Sequence, residues 1–270
     1  MVISLALLVG CTEPTPTAVD NSWTLLASDE FDGSAGTPPD ASKWVHEIGG
    51  DGWGNEQLEY NTNRTENASL DGEGNLVIRA LEEAYEGNAY TSARLKTQGT
   101  FERTYGRFEA RVQLPAGQGL WPAFWMLGAD IDEVGWPTCG EIDVVEFIGS
   151  NPGTVFGTVH GPGYSGGESV SEEYDLPGGS FADGMHIFAV EWEPEYIAWY
   201  VDDVLYHQVG VGDVSGPWVF DDDFYMILNL AVGGTLGGEP DPASFPAEMI
   251  VDYVRVYERA VPVETEDTTP

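Results

Sequence analysis

The segment RFEARVQL, residues 107–114, alternates between polar and apolar side chains without a break. Successive side chains of a β-strand point to opposite faces, so Phe, Ala, Val and Leu would share one face, and Arg, Glu, Arg and Gln the other. An antiparallel sheet with one face on the core and one face in solvent has this pattern. The segment therefore predicts a half-buried strand of such a sheet.

Further segments of similar length predict more strands, and turn signals separate nearly all of them. They are NLVIRAL, HIFAVEWE, IAWYV, VLYHQV, FYMILNLAV and MIVDYVRVYE. In WYVDDVLYH, Asp202 and Asp203 would form a two-residue hairpin turn, because aspartate tolerates the left-handed backbone conformation that such turns need. No segment keeps a helical period over ten residues or more. We therefore predict an all-β sandwich of two antiparallel sheets.

Composition sets the size of the domain and the kind of partner. The 270 residues suit one large β domain, and 34 glycines and 17 prolines suit many tight turns. Ten Lys and Arg residues face 46 Asp and Glu residues, for a net charge of -36. A field of this sign repels nucleic acid and sulfated glycans, so a neutral ligand is favoured. The excess acid indicates either adaptation to high salt, which screens self-repulsion, or an ordinary low-pI secreted protein.

The chain begins with a segment typical of export. Residues 2–10 are apolar and too short to span a bilayer, which favours a signal segment over a transmembrane helix. LVGC, ending at Cys11, resembles a bacterial lipobox, in which the cysteine is lipidated after cleavage. We expect a secreted protein or a surface lipoprotein attached to the membrane through Cys11, and a plain cleaved signal is the alternative. Lipidation of Cys11 would leave Cys139 as the one free thiol, with no disulfide framework.

Three acids interrupt the strand pattern of CGEIDVVEFIG, residues 139–149. Strict alternation puts Glu141 and Asp143 on one face and Glu146 on the other. A β-bulge at Val144-Val145 would insert one extra residue and return Glu146 to the face of the first two acids. Leaning side chains would then bring the two glutamate carboxyls to roughly 5–6 Å, the separation found in retaining glycosidases.

Close carboxyls push their pKa values apart, so that one can act as an ionised nucleophile and another as a protonated acid. The alternative is a solvated strand face, which the apolar remainder of the segment disfavours. Nearby tryptophans Trp121, Trp125 and Trp136 favour a glycan ligand, because indole rings stack on the C–H faces of sugars. We assign Phe124, which lies between the first two tryptophans, to the core.

Several motifs together resemble glycoside hydrolase family 16, in particular its laminarinase-like branch of bacterial endo-β-1,3-glucanases. They are SARLKTQGTFERTYGRFEARVQLPAGQGLWPAFWMLG, CGEIDVVEFIG, GTVHGPGYSGG, FYMILNLAVGG and IVDYVRVYE. The resemblance runs from about Trp23 to Tyr257 and includes the family's E-x-D-x-x-E signature. It implies a β-jelly roll of two curved antiparallel sheets with an open concave cleft, and no cofactor for catalysis. The expected domains are 1–20 for signal and Thr/Pro-rich tether, 21–260 for the catalytic jelly roll and 261–270 for an acidic disordered tail.

By this resemblance, Glu141 is the nucleophile, Glu146 the general acid/base, and Asp143 the residue that tunes the nucleophile. Other matching positions imply contact with substrate, namely Asn55, Arg94, His160 and Asn229, beside Trp121, Trp125 and Trp136. For Asn55 and Arg94 the alternative is a turn or cross-strand hydrogen bond. Asn229 must find partners either in the core or on substrate.

Family members also carry a structural Ca²⁺ on the convex side. The matching ligands are the backbone carbonyls of Glu30 and Gly74 and the carboxylate of Asp252, an oxygen set that suits this ion.

The resulting expectation is a monomeric endo-acting retaining hydrolase of β-1,3-glucan. A hydrolase of mixed-linkage β-1,3-1,4-glucan or of neutral agarose is the alternative within the enzyme class. The alternative of another class is a surface glucan-binding protein with little activity, which the intact set of three acids disfavours.

Overall fold

In the computed structural model, which describes residues 23–260, nearly all regular structure is β. The strands of the first half are β1 (Trp23–Asp29), β2 (Val45–Glu47), β3 (Glu59–Asn61), β4 (Ala68–Leu70), β5 (Leu76–Tyr85), β6 (Asn88–Ser92), β7 (Arg94–Lys96), β8 (Gly106–Gln113) and β9 (Leu120–Gly128). The second half contains β10 (Glu141–Phe147), β11 (Thr154–His160), β12 (Val170–Asp175), β13 (His186–Glu193), β14 (Tyr196–Val201), β15 (Val204–Gly210), β16 (Phe224–Val232) and β17 (Ala247–Arg259). Two four-residue helices, α1 (Ile131–Val134) and α2 (Gly234–Gly237), and two 3-10 turns, Gly166–Glu168 and Pro242–Ser244, lie in the connections.

The strands form two sheets that pack face to face. The ten-stranded sheet has the order β15-β14-β13-β8-β17-β5-β6-β3, with β1 paired to β17 and β4 paired to β5. The seven-stranded sheet has the order β12-β11-β10-β9-β16-β7-β2. The predicted sandwich of two sheets is confirmed, with one correction: β3 and β6 pair in parallel, while every other strand pair of the described chain is antiparallel. The segments before and after residues 23–260, including Cys11, lie outside the described part.

The core lies between the sheets and is rich in aromatic side chains. Phe124 is fully buried there, as predicted, together with Trp192 and Trp199 of the ten-stranded sheet. Cys139 is buried and unpaired among the described residues. No helix of the described part is long and apolar enough to cross a membrane.

Two local predictions have different outcomes. Asp202 and Asp203 have φ of 48° and 63° and join β14 to β15, so the hairpin is confirmed. The strand over 107–114 is also confirmed, as β8, but part of its polar face is not open to solvent. Arg107 and Glu109 are buried there because the Arg107 guanidinium bonds Glu109 at 2.9 Å and also pairs with Glu191 and Asp203. Paired charges tolerate burial that isolated charges would not.

Candidate active site

Strand β10 contains the predicted bulge. On the β11 side Asp143 stands opposite Thr158 and Glu146 opposite Phe156, so two residues of β10 face the single residue Gly157. On the β9 side the register also slips by one residue, between Asp143 and Val145. The extra residue returns Glu146 to the face of Glu141 and Asp143, because the alternation of faces resumes one position late.

The bulge brings the three acids to one face of the seven-stranded sheet, and His160 joins them from β11, directly opposite Glu141. Ligand atoms of Glu141, Asp143 and His160 lie within 4.8 Å of one another. His160 Nε2 lies 3.2 Å from Asp143 Oδ2, yet this oxygen has no well-aligned hydrogen-bond partner among the described residues. The backbone N–H of Gly166 donates to His160 Nδ1 at 3.1 Å, which leaves Nε2 as the ring nitrogen that faces Asp143.

The three predicted tryptophans separate into two roles. Trp121 Nε1 donates to Glu146 Oε1 at 3.2 Å, and Trp136 Nε1 donates to Glu141 Oε2 at 2.5 Å. Trp125 Nε1 instead donates to Asn229 Oδ1 at 2.7 Å. Trp121 is buried, whereas Trp136 is 49% exposed and is free to stack on a ligand. Two indoles therefore contact the two glutamates, and the third ties β9 to β16.

Burial raises the pKa of all three carboxyls, and mutual repulsion adds to the shift. The pKa of Glu141 rises to about 8, first through burial and then through the charge of Asp143. The pKa of Glu146 rises to about 7 through burial and the charge of Glu141. The pKa of Asp143 lies well above its usual range because this side chain is buried and faces Glu146. Near neutral pH the cluster therefore retains protons instead of carrying three negative charges.

The chain matches the sequence model of glycosyl hydrolases family 16 over residues 53–255. It belongs to this family. It is 45% identical over 267 residues to a beta-glucanase of Rhodothermus marinus, covering 94% of this chain and 92% of that protein. It also resembles the endo-beta-1,3-glucanase structure from Pyrococcus furiosus, with 47% identity, a TM-score of 0.84, and coverage of 89% of this chain and 96% of that one. The laminarinase catalytic domain of Thermotoga maritima gives 47% identity, a TM-score of 0.83, and coverage of 88% and 99%.

This family 16 chain carries a second polar cluster on the same sheet face, centred on Arg94 of β7. Arg94 is buried and forms an ion pair with Glu47, the residue directly opposite it on β2. Its guanidinium lies 4.9 Å from the Trp53 ring centre and 4.6 Å from that of Trp125. Lys96 also reaches Glu47, at 2.8 Å. Arg94 thus makes the cross-strand bond named as the alternative, and its stacking on Trp125 links it to Asn229.

Asn55 is exposed in the loop before β3. Its backbone carbonyl accepts from the N–H of Thr235 at 2.9 Å. A β-carbon at Gly234 would lie 2.8 Å from that carbonyl and 3.3 Å from the Trp121 ring, so Asn55 and Trp121 flank the same glycine. The structure therefore brings the Asn55 backbone close to Trp121 and leaves the residue exposed to solvent.

Sequence reasoning missed Glu47 and Trp53. Trp53 has a left-handed backbone with φ of 50°, and its indole N–H has no partner among the described residues. A large side chain in this conformation is uncommon and marks a functional or strained position. The glycines on both sides of Trp53 were the only available signal.

The predicted calcium ligands lie on separate segments. A β-carbon at Gly74 would be 3.9 Å from the Glu30 carbonyl oxygen, so these two positions are neighbours. Asp252 lies on β17, where its Oδ2 accepts from Arg111 Nη1. The donor chemistry fits Ca²⁺.

A cavity of about 430 Å³ lies away from the three acids, on the outer face of the ten-stranded sheet. It is lined by Trp23, Arg107, Glu109, Glu191, Asp203, Tyr257 and Arg259. Its charged groups pair with one another, as described for Arg107. None of the predicted site residues lines this cavity.

Proposed function

We propose that the protein is an endo-acting, retaining hydrolase of β-1,3-glucan of the laminarin type. The observation that carries this proposal is the β10 bulge, which puts Glu141, Asp143 and Glu146 on one face of a family 16 chain. The names of the related proteins support the substrate class, since they are glucanases and laminarinases.

In the first step, the Glu141 carboxylate attacks the anomeric carbon and the glycosidic C–O bond breaks. Glu146, protonated through its raised pKa, gives its proton to the leaving oxygen, which departs as an alcohol. The Trp121 indole, bonded to Glu146 Oε1, orients the acid toward that oxygen. The product of this step is a glycosyl ester on Glu141 and a carboxylate at Glu146.

In the second step, the Glu146 carboxylate takes a proton from water as that water attacks the anomeric carbon. The ester bond to Glu141 breaks, Glu141 leaves as a carboxylate, and Glu146 is protonated again. Two inversions at one carbon give net retention.

The position of one proton decides whether Glu141 can act as the nucleophile. A pKa of about 8 for Glu141 and about 7 for Glu146 is the reverse of the order that these roles need. The higher pKa of Glu141 applies when Glu141 carries the shared proton and donates it in a hydrogen bond to Asp143. When the shared proton lies on Asp143, both Asp143 and the Trp136 indole donate to Glu141 and favour its carboxylate form. Asp143 therefore acts as the proton holder that keeps Glu141 ionised.

The sheet face beside the acids forms the proposed glucan groove. Trp136, half exposed beside Glu141, would stack on the sugar next to the cleaved bond. Asn55 and the Trp53, Arg94, Trp125 and Asn229 cluster would bind sugars farther from the cleaved bond through hydroxyl contacts. His160 Nε2 would meet hydroxyls close to Asp143. A neutral polysaccharide suits a protein with a net charge of -36.

A structural Ca²⁺ would be held by the carbonyls of Glu30 and Gly74 and by Asp252, joining β17 to the loops before β2 and β5. Calcium would raise the melting temperature, and removal by EDTA would lower it by several degrees. An unchanged melting temperature with EDTA would reject this part of the proposal. The Asp252→Asn variant, which lacks the carboxylate ligand, should respond less to EDTA than the wild type.

We also propose that the protein acts outside the cytoplasm as a monomer. A lipid on Cys11 would attach it to a membrane surface.

The test is product release from laminarin, lichenan and agarose by residues 20–260, compared with Glu141→Gln and Glu146→Gln. Short oligosaccharides from laminarin that disappear in both variants would support the proposal. Preferred cleavage of lichenan or agarose would keep the mechanism and replace the substrate. Binding of laminarin without cleavage by a folded wild type would make the protein a glucan-binding module.

A further inference from the structure

The bulge in β10 changes the hydrogen bonding of the backbone at Asp143. In a regular antiparallel ladder, carbonyl groups lie in the plane of the sheet and accept from neighbouring strands. The Asp143 carbonyl accepts from a side chain, the indole Nε1 of Trp199, at 2.8 Å. Trp199 belongs to β14 of the opposite sheet. The carbonyl before the bulge is therefore turned into the interior of the sandwich and bound from the other side.

Gly157 makes room for this contact. It is the β11 residue that faces the two bulged residues, Val144 and Val145. A β-carbon at Gly157 would lie 2.5 Å from Trp199 Cδ1 and 2.5 Å from Tyr206 Oη, distances that real side chains do not show. The residue opposite the bulge must therefore lack a side chain for the indole to reach Asp143.

The Trp199 ring is itself firmly held. It is fully buried and lies 4.7 Å from the His207 ring, its direct neighbour on β15. A buried hydrogen bond of this kind is costly to lose, because a donor or acceptor left without a partner in the interior is unfavourable.

We propose that Trp199 is a positioning residue for the reaction: its bond to the Asp143 carbonyl, made possible by Gly157, fixes the bulge and so the spacing between Glu141 and Glu146. Trp199 does not touch substrate and acts only through the backbone of β10. This inference rests on the proposed function, since it assigns a task to the same two glutamates.

The test is Trp199→Phe, which removes the N–H donor and keeps an aromatic ring. We expect kcat on laminarin to fall about 10- to 100-fold with KM within about twofold, because misplaced catalytic groups cost rate more than binding. The pH profile of kcat should also shift, since the spacing of the carboxyls sets their mutual repulsion.

Trp192→Phe is the matched control. Trp192 is equally buried in the same sheet, and its Nε1 donates to a backbone carbonyl at 3.0 Å, that of Phe220, which lies outside β10. This control should lose stability and keep kcat and the pH profile. If both variants behave alike, or if Trp199→Phe keeps wild-type kcat and pH profile, the proposal is wrong.

A second variant protects the test against loss of folding in the first. Gly157→Ala should displace the indole and reproduce the kcat and pH changes, whereas Gly153→Ala, with its nearest neighbour at 3.5 Å, should not. Carbon-13 NMR titration of the Glu141 and Glu146 carboxyls needs no substrate. Unchanged titration in both Trp199→Phe and Gly157→Ala would overturn the inference even if the wild type failed to cleave glucan.

Discussion

Replacing Glu59 with glutamine should flatten the pH dependence of stability. Glu59 is fully buried in β3, where Oε2 accepts from the Val232 backbone N–H at 2.8 Å and Oε1 from the Asn61 amide at 3.2 Å. Burial raises the pKa of Glu59 to about 7, and these hydrogen bonds offset only part of the effect. The side chain links β3 to the end of β16.

The sign and size follow from proton binding. Between pH 4.5 and about 7 the folded protein keeps a proton that the unfolded chain releases, so stability falls as pH rises through this window. A rise in pKa from 4.5 to about 7 corresponds to about 3 kcal/mol of stability lost by pH 8. The Glu59→Gln variant carries no titrating group there. Its new amide can donate to Asn61 Oδ1, which has no partner in the described chain, once the Asn61 amide rotates.

The assay is urea unfolding at pH 5 and pH 8 for wild type and Glu59→Gln. The carboxyls of the active site change the free energy of unfolding equally in wild type and variant, so their effect cancels when the two proteins are compared. We expect the wild type to lose about 2 to 3 kcal/mol more than the variant between these pH values, because part of the full loss has already occurred by pH 5. A difference under about 0.5 kcal/mol would refute the reasoning, as would an equal change in Glu173→Gln, at an exposed position.

Three further predictions concern the site and the surface charge. The kcat/KM of the wild type for laminarin should fall above about pH 7, because Glu146 loses the proton that it gives to the leaving group. On aryl glycosides whose leaving group needs no acid, the Glu146→Gln variant should not show this fall. An unchanged fall in the variant would contradict the role of Glu146 as the acid. Trp136→Phe should slow formation of the glycosyl-enzyme about fivefold and move the acidic limb to higher pH, with an unchanged melting temperature, because a hydrogen bond to the Glu141 carboxylate is lost. Activity and melting temperature should rise between low salt and about 1 M NaCl as screening relieves the acidic surface, and a flat or falling response would reject salt adaptation.

Short-range patterns predicted most of the fold. Alternation identified β8, and paired aspartates identified the turn between β14 and β15. In CGEIDVVEFIG, the change of face between Asp143 and Glu146 predicted the bulge, and the structure confirms it. Phe124 was assigned to the core from its apolar surroundings, and the structure agrees.

Contacts between distant segments were not readable in the same way. The hydrogen bond from Trp199 to the Asp143 carbonyl joins the two sheets and links residues 56 positions apart in the chain. No local sequence pattern predicts such a contact. Glu59 and Glu109 look like ordinary surface acids in sequence, yet each is buried where a partner from another strand meets it: the Val232 N–H for Glu59 and the Tyr257 hydroxyl for Glu109. Trp53 reaches Arg94 only after a loop folds over the sheet.

The central claim is retention through Glu141 and Glu146, and proton NMR of the newly formed reducing end tests it most directly. During early hydrolysis of laminarin oligosaccharides, the β-anomer should appear first and the α-anomer only later, by mutarotation. Initial release of the α-anomer would mean direct attack by water, and the double-displacement account would be wrong.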